Sequence, residues 1–357
     1  MATETRSSAL LDVHKSLGAR LTDFAGWQMP LQYKGVIAEH IAVRTGVGVF
    51  DVSHLGKLKV SGADAGEALQ EALTADVIGL EAGRASYSLV LTEEGGVIDD
   101  VFVYRLGERE WMVVPNAANV EAVSDAIRRS GGDVTDEWAR WAILAIQGPR
   151  SFSLFERAFP GSGAPDLELH GWCHLALEGE KAIVARTGYT GERGFELYAP
   201  ASTAVTTWRR LTELGATPAG LGARDTLRLE MGYALYGHEL SLDINPLEVG
   251  LGWAIAWDKS FRGRDALIAI KERGPARRLF GVRCADKGVP RAGYRVVDGD
   301  VTIGTLTSGN YSPTLGTGIA LGLGQRAAVP DPGARVDVDA RGRMIGGDIV
   351  KPPFIKR

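Results

Sequence analysis

The pattern of the sequence changes near residue 275, and this change most constrains what the chain can fold into. Upstream of Arg273-Gly274-Pro275, helical patterns mix with β-rich runs. Downstream, helical patterns nearly vanish, and short β-rich runs alternate with Gly, Pro and Asp. Short strands separated by turn residues are typical of a small sandwich or barrel made of strands. We therefore expect the chain to end in a separate all-β domain.

The part before residue 275 predicts an α+β fold with antiparallel sheets. Three β-rich runs at 85–91, 97–105 and 111–114 are separated only by short Gly-containing turns, which favours a meander over βαβ units. Helices are predicted at 9–17, 33–45, 63–73, 116–129, 149–159, 203–214 and 222–235. Further strands are predicted at 141–146, 181–186, 194–198, 278–284, 294–297, 302–307 and 334–338.

Composition and charge argue against several classes of protein. Lys and Arg number 40 against 44 Asp and Glu, so no basic excess attracts a nucleic acid backbone. Two cysteines cannot build a disulfide framework and fit a reducing compartment. No apolar run reaches the ~18 residues of a membrane span, and no secretory pattern opens the sequence. We expect a cytoplasmic protein that binds neither nucleic acid nor membrane.

Several common site motifs are missing or incomplete. The sequence contains no Walker loop, no H-E-x-x-H and no G-x-S-x-G. Gly220-Leu221-Gly222 begins a dinucleotide fingerprint, but Asp225 stands where the third glycine is required. The segment 170–174 brings two histidines and a cysteine together, yet no fourth ligand follows nearby. A surface loop is therefore favoured there over a metal site, and no metal is predicted.

The β-rich run 95–104 carries two adjacent carboxylates. Side chains alternate across a strand, so Asp100 shares a face with Phe102 and Tyr104, and Asp99 lies on the other face. Aspartate is disfavoured in strands, and a carboxylate beside aromatic rings suits a flat, nitrogen-rich ligand. The alternative is that both aspartates follow the turn and face solvent.

Two further segments carry candidate binding residues. In the Gly-rich segment 186–197, Glu196 lies between two apolar residues and faces away from them, where its carboxylate could accept two parallel N–H bonds. An exposed strand glutamate is the alternative. In 220–230, Arg224 could bind a carboxylate or could be a solvated helix charge.

Seven strings in order resemble the T-protein family, the aminomethyltransferases of the glycine cleavage system. They are D-F-A-G-W-Q-M-P-L-Q-Y (23–33), F-D-V-S-H-L-G (50–56), E-G-G-V-I-D-D (94–100), R-T-G-Y-T-G-E-R-G-F-E-L (186–197), G-L-G-A-R-D-T-L-R-L-E (220–230), N-P-L-E-V-G-L-G-W (245–253) and T-S-G-N-Y-S-P-T-L-G (307–316). Each string alone is weak, whereas seven in order over residues 11–351 are specific.

The resemblance implies a three-domain, cloverleaf-like α+β fold around a channel for tetrahydrofolate. A discontinuous first domain would comprise residues 1–51 and 136–273 and bind folate. A second α+β domain, residues 52–135, would carry the catalytic aspartate. Residues 274–357 would form a small C-terminal β-barrel or jelly roll. The discontinuity follows from the resemblance alone.

The resemblance also implies an activity and its residues. The enzyme would release ammonia from the aminomethyl-lipoyl arm of H protein and transfer the one-carbon unit to the co-substrate tetrahydrofolate, giving 5,10-methylene-tetrahydrofolate. A monomer with lipoylated H protein as its partner is expected. Asp100 matches the catalytic aspartate, Glu196 the carboxylate that grips the pterin, and Arg224 a ligand-site arginine. Further positions expected to line the folate pocket are Tyr87, Tyr104, Asn116, Tyr189, Tyr233 and Trp253.

Three other functions are possible on the same fold, and the sequence departs from the family pattern at two positions. A folate-binding relative in iron–sulfur cluster assembly carries K-G-C-Y-x-G-Q-E, but residues 259–265 contain no cysteine. The folate domain of a sarcosine or dimethylglycine oxidase would have a flavin domain ahead of Leu11, and a folate store is the non-enzymatic alternative. Leu55 stands where the family often has Met, and Arg193 places a positive charge where an acid is usual.

Overall fold

The computed structural model describes residues 5–357, which divide into two compact units. One unit contains the described residues through Ser88 together with Val101–Asp225, and the other contains Leu89–Asp100 together with Thr226–Arg357. Both the α+β class with antiparallel sheets and the C-terminal barrel are confirmed. The division into three domains in a cloverleaf stays a prediction.

The structure contains eight α-helices and twenty strands within residues 5–357. The α-helices are α1 (Leu11–Ser16), α2 (Val36–Thr45), α3 (Ala65–Ala72), α4 (Val120–Arg129), α5 (Ser151–Ala158), α6 (Ala204–Glu213), α7 (Leu221–Glu230) and α8 (Arg264–Arg273). The strands of the first three sheets are β1 (Arg6–Ser7), β2 (Arg20–Phe24), β3 (Trp27–Gln32), β4 (Gly48–Asp51), β5 (Leu58–Ser61), β6 (Ala85–Leu91), β7 (Val97–Arg105), β8 (Glu110–Val114), β9 (Asp133–Asp136), β10 (Trp141–Gln147), β11 (Trp172–Leu177), β12 (Glu180–Ala185), β13 (Gly194–Pro200) and β14 (Thr217–Pro218). Those of the barrel are β15 (Arg277–Cys284), β16 (Arg295–Asp298), β17 (Val301–Ser312), β18 (Thr317–Gln325), β19 (Arg335–Ala340) and β20 (Arg343–Val350).

A six-stranded sheet forms the centre of the first unit, in the order β11-β12-β13-β10-β4-β14. Its pairs are antiparallel except β14 with β4, which run parallel. One face carries the largest apolar cluster, in which Leu144, Phe195 and Leu197 pack with Phe155 of α5 and Trp208 of α6. Burial of these side chains fixes which residues of β13 point to the other face.

Two smaller sheets complete the strand pairing before the barrel. The predicted meander is part of a five-stranded sheet in the order β6-β7-β8-β5-β9. In the three-stranded sheet, β2 and β3 form a hairpin, and β1 pairs parallel to β3. Sequence analysis did not predict this hairpin, because its strands contain polar residues at positions that periodicity reads as loop.

The last six strands form a closed barrel in the order β15-β18-β17-β16-β19-β20, and β15 pairs with β20 to close it. Twelve buried apolar residues fill its interior, including Phe280, Leu306 and Val338. Glycine is required beside the Phe280 ring, because a Cβ at Gly304 or Gly322 would lie 2.7 or 2.6 Å from a ring carbon. The predicted all-β end of the chain is therefore correct.

One helix prediction near the barrel has a wrong end, and one helix was not predicted. The helix predicted for 222–235 ends at Glu230, because Gly232 adopts a left-handed backbone (φ 68°) that stops the helix. Helix α8 was not predicted, although it is bounded by two glycines with positive φ, Gly263 and Gly274. Its apolar residues form one continuous run, 266–270, between charged residues, so the helical periodicity is weak.

Candidate functional site

Glu196 is buried in the middle of the six-stranded sheet, on the face opposite the main apolar cluster. Phe50, Ala145 and Glu196 are directly paired across β4, β10 and β13, so their side chains share one face. Only 8 % of Glu196 is exposed. The orientation predicted from Phe195 and Leu197 is confirmed, and the alternative of an exposed strand glutamate is wrong.

A chain of hydroxyl groups holds the Glu196 carboxylate. Thr187 Oγ1 donates to Glu196 Oε2 at 2.6 Å, and the Tyr104 hydroxyl lies 3.4 Å from Thr187 Oγ1. The Tyr198 hydroxyl donates to that of Tyr104 at 3.0 Å. An ionised carboxylate only accepts, so each hydroxyl proton points toward Glu196. Burial, together with the negative charge of Glu196, raises the pKa of Tyr104, so its phenol stays protonated as a donor.

The buried side-chain amide of Gln147 fixes the loop between β12 and β13. Gln147 Nε2 donates to the Thr187 carbonyl at 3.1 Å, and Thr190 Oγ1 donates to Gln147 Oε1 at 2.7 Å. A Cβ at Gly188 would lie 2.1 Å from Gln147 Oε1, so only glycine allows this close approach. The glycines of the segment therefore place Thr187 within reach of Glu196.

Arg224 lies in the first turns of α7, with its guanidinium 4.8 Å from the centre of the Tyr189 ring. Among residues 5–357, its buried Nη1 atom has no hydrogen-bond partner. Burial lowers the pKa of Arg224, and the negative charge of Glu196 counteracts this effect. The alternative of a solvated helix charge is wrong, and a buried N–H is instead available to an acceptor.

The turn after β4 carries His54, of which 4 % is exposed. Its ring packs edge-on against Phe24, with ring centres 5.2 Å apart. Burial first, and then the positive charge of Arg224, lower the pKa of His54 to about 3, so the imidazole is neutral near pH 7. Within the described part of the chain, its buried Nδ1 atom has no hydrogen-bond partner.

Strand β7 carries the two adjacent aspartates. Asp99 is fully buried, and Asp100 on the opposite face is half-buried, as strand alternation predicts. The alternative in which both aspartates face solvent is wrong. The aspartates are the third and fourth of nine strand residues, so they lie inside the strand and not in the turn before it.

The other predicted pocket residues have different surroundings. The Tyr87 ring contacts the Phe102 ring at 5.8 Å, and Asn116 is half-buried just after β8. Tyr104 is fully buried, so its hydroxyl takes part in the hydrogen-bond chain to Glu196, but its ring does not form an exposed surface of a pocket. Tyr233 and Trp253 belong to the second unit and are 37 % and 68 % exposed. The first unit thus brings together Tyr104, Tyr189, Glu196 and Arg224.

The two departures noted in the sequence lie in different surroundings. Leu55 is half-buried in the turn after β4. Arg193 places its guanidinium 4.3 Å from the centre of the Phe152 ring, while its neighbour Glu192 forms a buried ion pair with Arg44 at 2.8 Å. The positive charge at position 193 is therefore accommodated by a cation–π contact with Phe152.

The segment 170–174 does not gather its side chains. His174 is exposed on β11, Cys173 is half-buried, and the His170 ring packs against Phe102 at 5.5 Å. In the structure from residue 5 onward, no three His, Cys, Asp or Glu side chains come together that could hold a metal ion. No helix of the same region is long and apolar enough to cross a membrane.

Sequence reasoning missed three residues that the structure places around Glu196 and Arg224: Thr187, Tyr198 and His54. As residue types, none of the three carries a signal, because a threonine in a loop and a tyrosine in a strand are ordinary. Thr187 and His54 lie inside strings that resemble the family, so their positions could have marked them, whereas Tyr198 follows such a string by one residue.

Two family descriptions match almost the whole chain. Residues 10–259 match the GCVT N-terminal domain, and residues 277–356 match the glycine cleavage T-protein C-terminal barrel domain. The chain is 45 % identical over 363 residues to an aminomethyltransferase of Mycobacterium leprae, covering 99 % of this chain and 98 % of the relative. It is 43 % identical over 358 residues to an aminomethyltransferase of Halothermothrix orenii, covering 98 % and 100 %.

A solved structure supports the same conclusion about the fold. The glycine cleavage system aminomethyltransferase T from Bartonella henselae superposes with a TM-score of 0.91 at 32 % identity. The match covers 98 % of each chain, so it includes both the sheet that carries Glu196 and the barrel.

Proposed function

Because the chain belongs to the glycine cleavage T-protein family, we propose that it is the aminomethyltransferase of the glycine cleavage system. It releases ammonia from the aminomethyl-lipoyl arm of H protein and transfers the one-carbon unit to tetrahydrofolate, giving 5,10-methylene-tetrahydrofolate. Lipoylated H protein is the partner and tetrahydrofolate the co-substrate. The cytoplasmic location and the monomeric state remain predictions.

The buried Glu196 carboxylate carries the proposal for folate. Thr187 occupies one side of Oε2, and an ionised carboxylate has further lone pairs that accept hydrogen bonds. The pterin ring presents adjacent N–H groups along one edge, which suit a carboxylate. The unpartnered Nη1 atom of Arg224 adds a donor for an acceptor atom of the same ligand. The residues of this chain therefore fit a pterin.

Asp100 is proposed as the group that stabilises positive charge in the transfer. Tetrahydrofolate supplies an amine nitrogen that accepts the one-carbon unit. That unit is electron-poor when the amine leaves, and a fixed carboxylate lowers the energy of a positive centre. The charge and orientation of Asp100 are its proposed contributions.

Replacing Asp100 tests this role. We expect Asp100→Asn to lower formation of 5,10-methylene-tetrahydrofolate by about 100-fold or more while tetrahydrofolate still binds. The assay uses H protein loaded with the aminomethyl group, and equilibrium binding of tetrahydrofolate is measured in parallel. Asp99→Asn is the matched control, because Asp99 is the neighbouring carboxylate on the opposite face of β7.

Several outcomes would contradict the proposal. A loss of only a few-fold in Asp100→Asn would show that the charge is not needed for transfer. Folate binding by the wild type without ammonia release from loaded H protein would favour a folate store or a role in cluster assembly. An equal loss in Asp99→Asn, with a lowered melting temperature, would assign the effect to the strand and not to the site.

A further inference from the structure

Five buried side-chain nitrogen atoms of the first unit, within residues 5–357, have no hydrogen-bond partner: Nε1 of Trp111, Trp172 and Trp208, Nη1 of Arg224 and Nδ1 of His54. Arg224 acts electrostatically on both His54 and Glu196. The proposed roles use Arg224 and leave His54 without one. A buried polar atom without a partner destabilises a folded protein, and a ligand that supplies the missing bond removes that cost.

Strand pairing brings His54 and Arg224 to one edge of the six-stranded sheet. Strands β4 and β14 run parallel, with Pro218 opposite Val49, and the Ala219 N–H donates to the Val49 carbonyl at 3.0 Å. His54 follows the end of β4 by three residues, and Arg224 lies in α7, which begins three residues after β14. Because parallel strands end at the same edge, both side chains lie there.

Glu196 belongs to the same region of the sheet. It lies on β13, two strands from β4. Glu196 pairs with Ala145 of β10, and Ala145 pairs on its other side with Phe50 of β4. Phe50 precedes His54 by four residues. Arg224 connects the other two residues, because it acts electrostatically on both Glu196 and His54.

The chemistry of the two nitrogen atoms restricts the atom that could satisfy both. A guanidinium N–H only donates, so the partner of Arg224 Nη1 is an acceptor. A neutral imidazole carries one N–H, and Nδ1 donates in the tautomer that places the proton there. Both requirements are met by one carbonyl oxygen, which has two lone pairs.

We propose that His54 is a specificity-determining binding residue whose Nδ1–H, together with Arg224 Nη1, donates to the ring carbonyl oxygen of the pterin. This inference rests on the proposed function, in which Glu196 accepts from the N–H edge. In a pterin, the carbonyl carbon is bonded directly to the ring nitrogen that carries the N–H. Groups that donate to the carbonyl oxygen must therefore lie beside the carboxylate that accepts from the N–H, and we assign this position to His54 and Arg224.

The electrostatics of the site agree with this role. Burial and the charge of Arg224 keep His54 neutral, so the imidazole adds a donor without adding a second buried positive charge. The negative charge of Glu196 stabilises the charged form of Arg224. The negative charge of Asp51 raises the pKa of His54, and the positive charge of Lys57 lowers it, but burial and Arg224 have the larger effect. A neutral carbonyl oxygen is compatible with this balance.

The test compares two ligands that differ at position 4 of the pterin. Dissociation constants are measured for tetrahydrofolate and for its 4-amino counterpart, in which NH₂ replaces the carbonyl oxygen and the neighbouring ring nitrogen carries no proton. We expect the wild type to prefer the 4-oxo compound. Because Glu196 also contributes to that preference, the change in preference caused by substituting His54 is the result that tests His54. We expect His54→Phe to weaken tetrahydrofolate binding by about 5- to 10-fold and to leave the 4-amino compound within about twofold, because one hydrogen bond is lost.

Two variants accompany His54→Phe. His54→Asn retains a side-chain N–H and is expected to recover part of the preference for the 4-oxo compound. His174→Phe makes the same change at an exposed histidine of β11 and is expected to bind both ligands as the wild type does. Thermal melts establish that each variant is folded at the temperature of the binding measurement.

A second readout uses the unmodified protein, so the inference stays testable if the variants do not fold. In protein with ¹⁵N-labelled histidine, the assigned Nδ1 signal of His54 is expected to shift when tetrahydrofolate is added. An unchanged Nδ1 signal, or equal affinity of wild type and His54→Phe for both ligands, overturns the inference. A wild type that does not bind tetrahydrofolate overturns the proposed function itself, which is a different result.

Discussion

At the scale of single residues, the direction of the hydrogen bonds around Glu196 decides what that carboxylate can bind. The hydroxyls of Tyr198, Tyr104 and Thr187 form a chain whose last proton lies between Thr187 Oγ1 and Glu196 Oε2. This bond fixes the plane of the carboxylate before any ligand arrives. A fixed carboxylate binds an N–H edge without losing its own rotational freedom at that moment.

Replacing Thr187 tests the value of this orientation. Thr187→Val keeps the shape of the side chain and removes the donor, so we expect tetrahydrofolate binding to weaken by about tenfold, since bonds to charged groups contribute more than neutral ones. Binding is measured by titration calorimetry. The control is Thr206→Val in α6, where the hydroxyl only donates to the Thr203 carbonyl. Unchanged affinity in Thr187→Val would mean that Glu196 does not depend on this bond.

At the scale of secondary structure elements, the end of α7 is set by one glycine. Gly232 has a φ of 68°, and its N–H donates to the Leu229 carbonyl at 2.9 Å. A Cβ at this position would lie 2.4 Å from Cβ of Pro352. The glycine therefore both stops the helix and permits the close approach of the C-terminal segment, whose Phe354 N–H donates to the Glu230 carbonyl at 2.8 Å.

Two alanine substitutions separate these effects. Gly232→Ala is expected to lower the free energy of unfolding by about 2–4 kcal/mol, since a positive φ and a clash with the Pro352 ring act together. Gly237→Ala is the matched control, because Gly237 has a φ of 83° and open space around its Cβ position. It is expected to cost about 1–2 kcal/mol. Urea denaturation measures both, and equal losses would show that Pro352 yields without cost.

At the scale of the whole molecule, buried titratable groups connect the stability of the chain to pH. Burial alone would raise the pKa of Asp51, but the hydrogen bond and charge of His14, with Ser53 and Ser8, lower it to about 2. His54 titrates near 3 because burial and Arg224 disfavour its charged form. In both cases the unfolded chain binds the proton more readily than the folded chain does, so stability falls as pH falls.

The pH dependence of stability can be assigned to His54 by substitution. An unfolded histidine protonates near its ordinary pKa of ~6.5, so His54 lowers stability progressively from that pH down to its folded pKa of about 3. We expect the wild type to lose about 2 kcal/mol more than His54→Phe between pH 6 and pH 4. Urea denaturation at several pH values measures this, with His174→Phe as the control. Parallel curves for wild type and His54→Phe would contradict the buried, neutral imidazole.

The local and periodic features of this protein could be predicted from its residues alone. The change of pattern near residue 275 predicted the barrel, and strand alternation placed Asp100 opposite Asp99 and Glu196 opposite Phe195. These features depend on neighbours within a few residues, where backbone geometry is fixed. The resemblance of seven strings pointed to the family, because seven such strings in order are specific although each alone is weak.

Contacts between residues that are distant in sequence could not be predicted in this way. Thr187 reaches Glu196 because Gln147, 40 residues away, holds its loop, and His54 lies at the same sheet edge as Arg224 because β4 pairs with β14. Nothing local marks these pairings, because they result from the burial of one face of a sheet and from hydrogen bonds between strands far apart in sequence. For the same reason, Nδ1 of His54 and Nη1 of Arg224 could be recognised as atoms without a partner only once their surroundings were known.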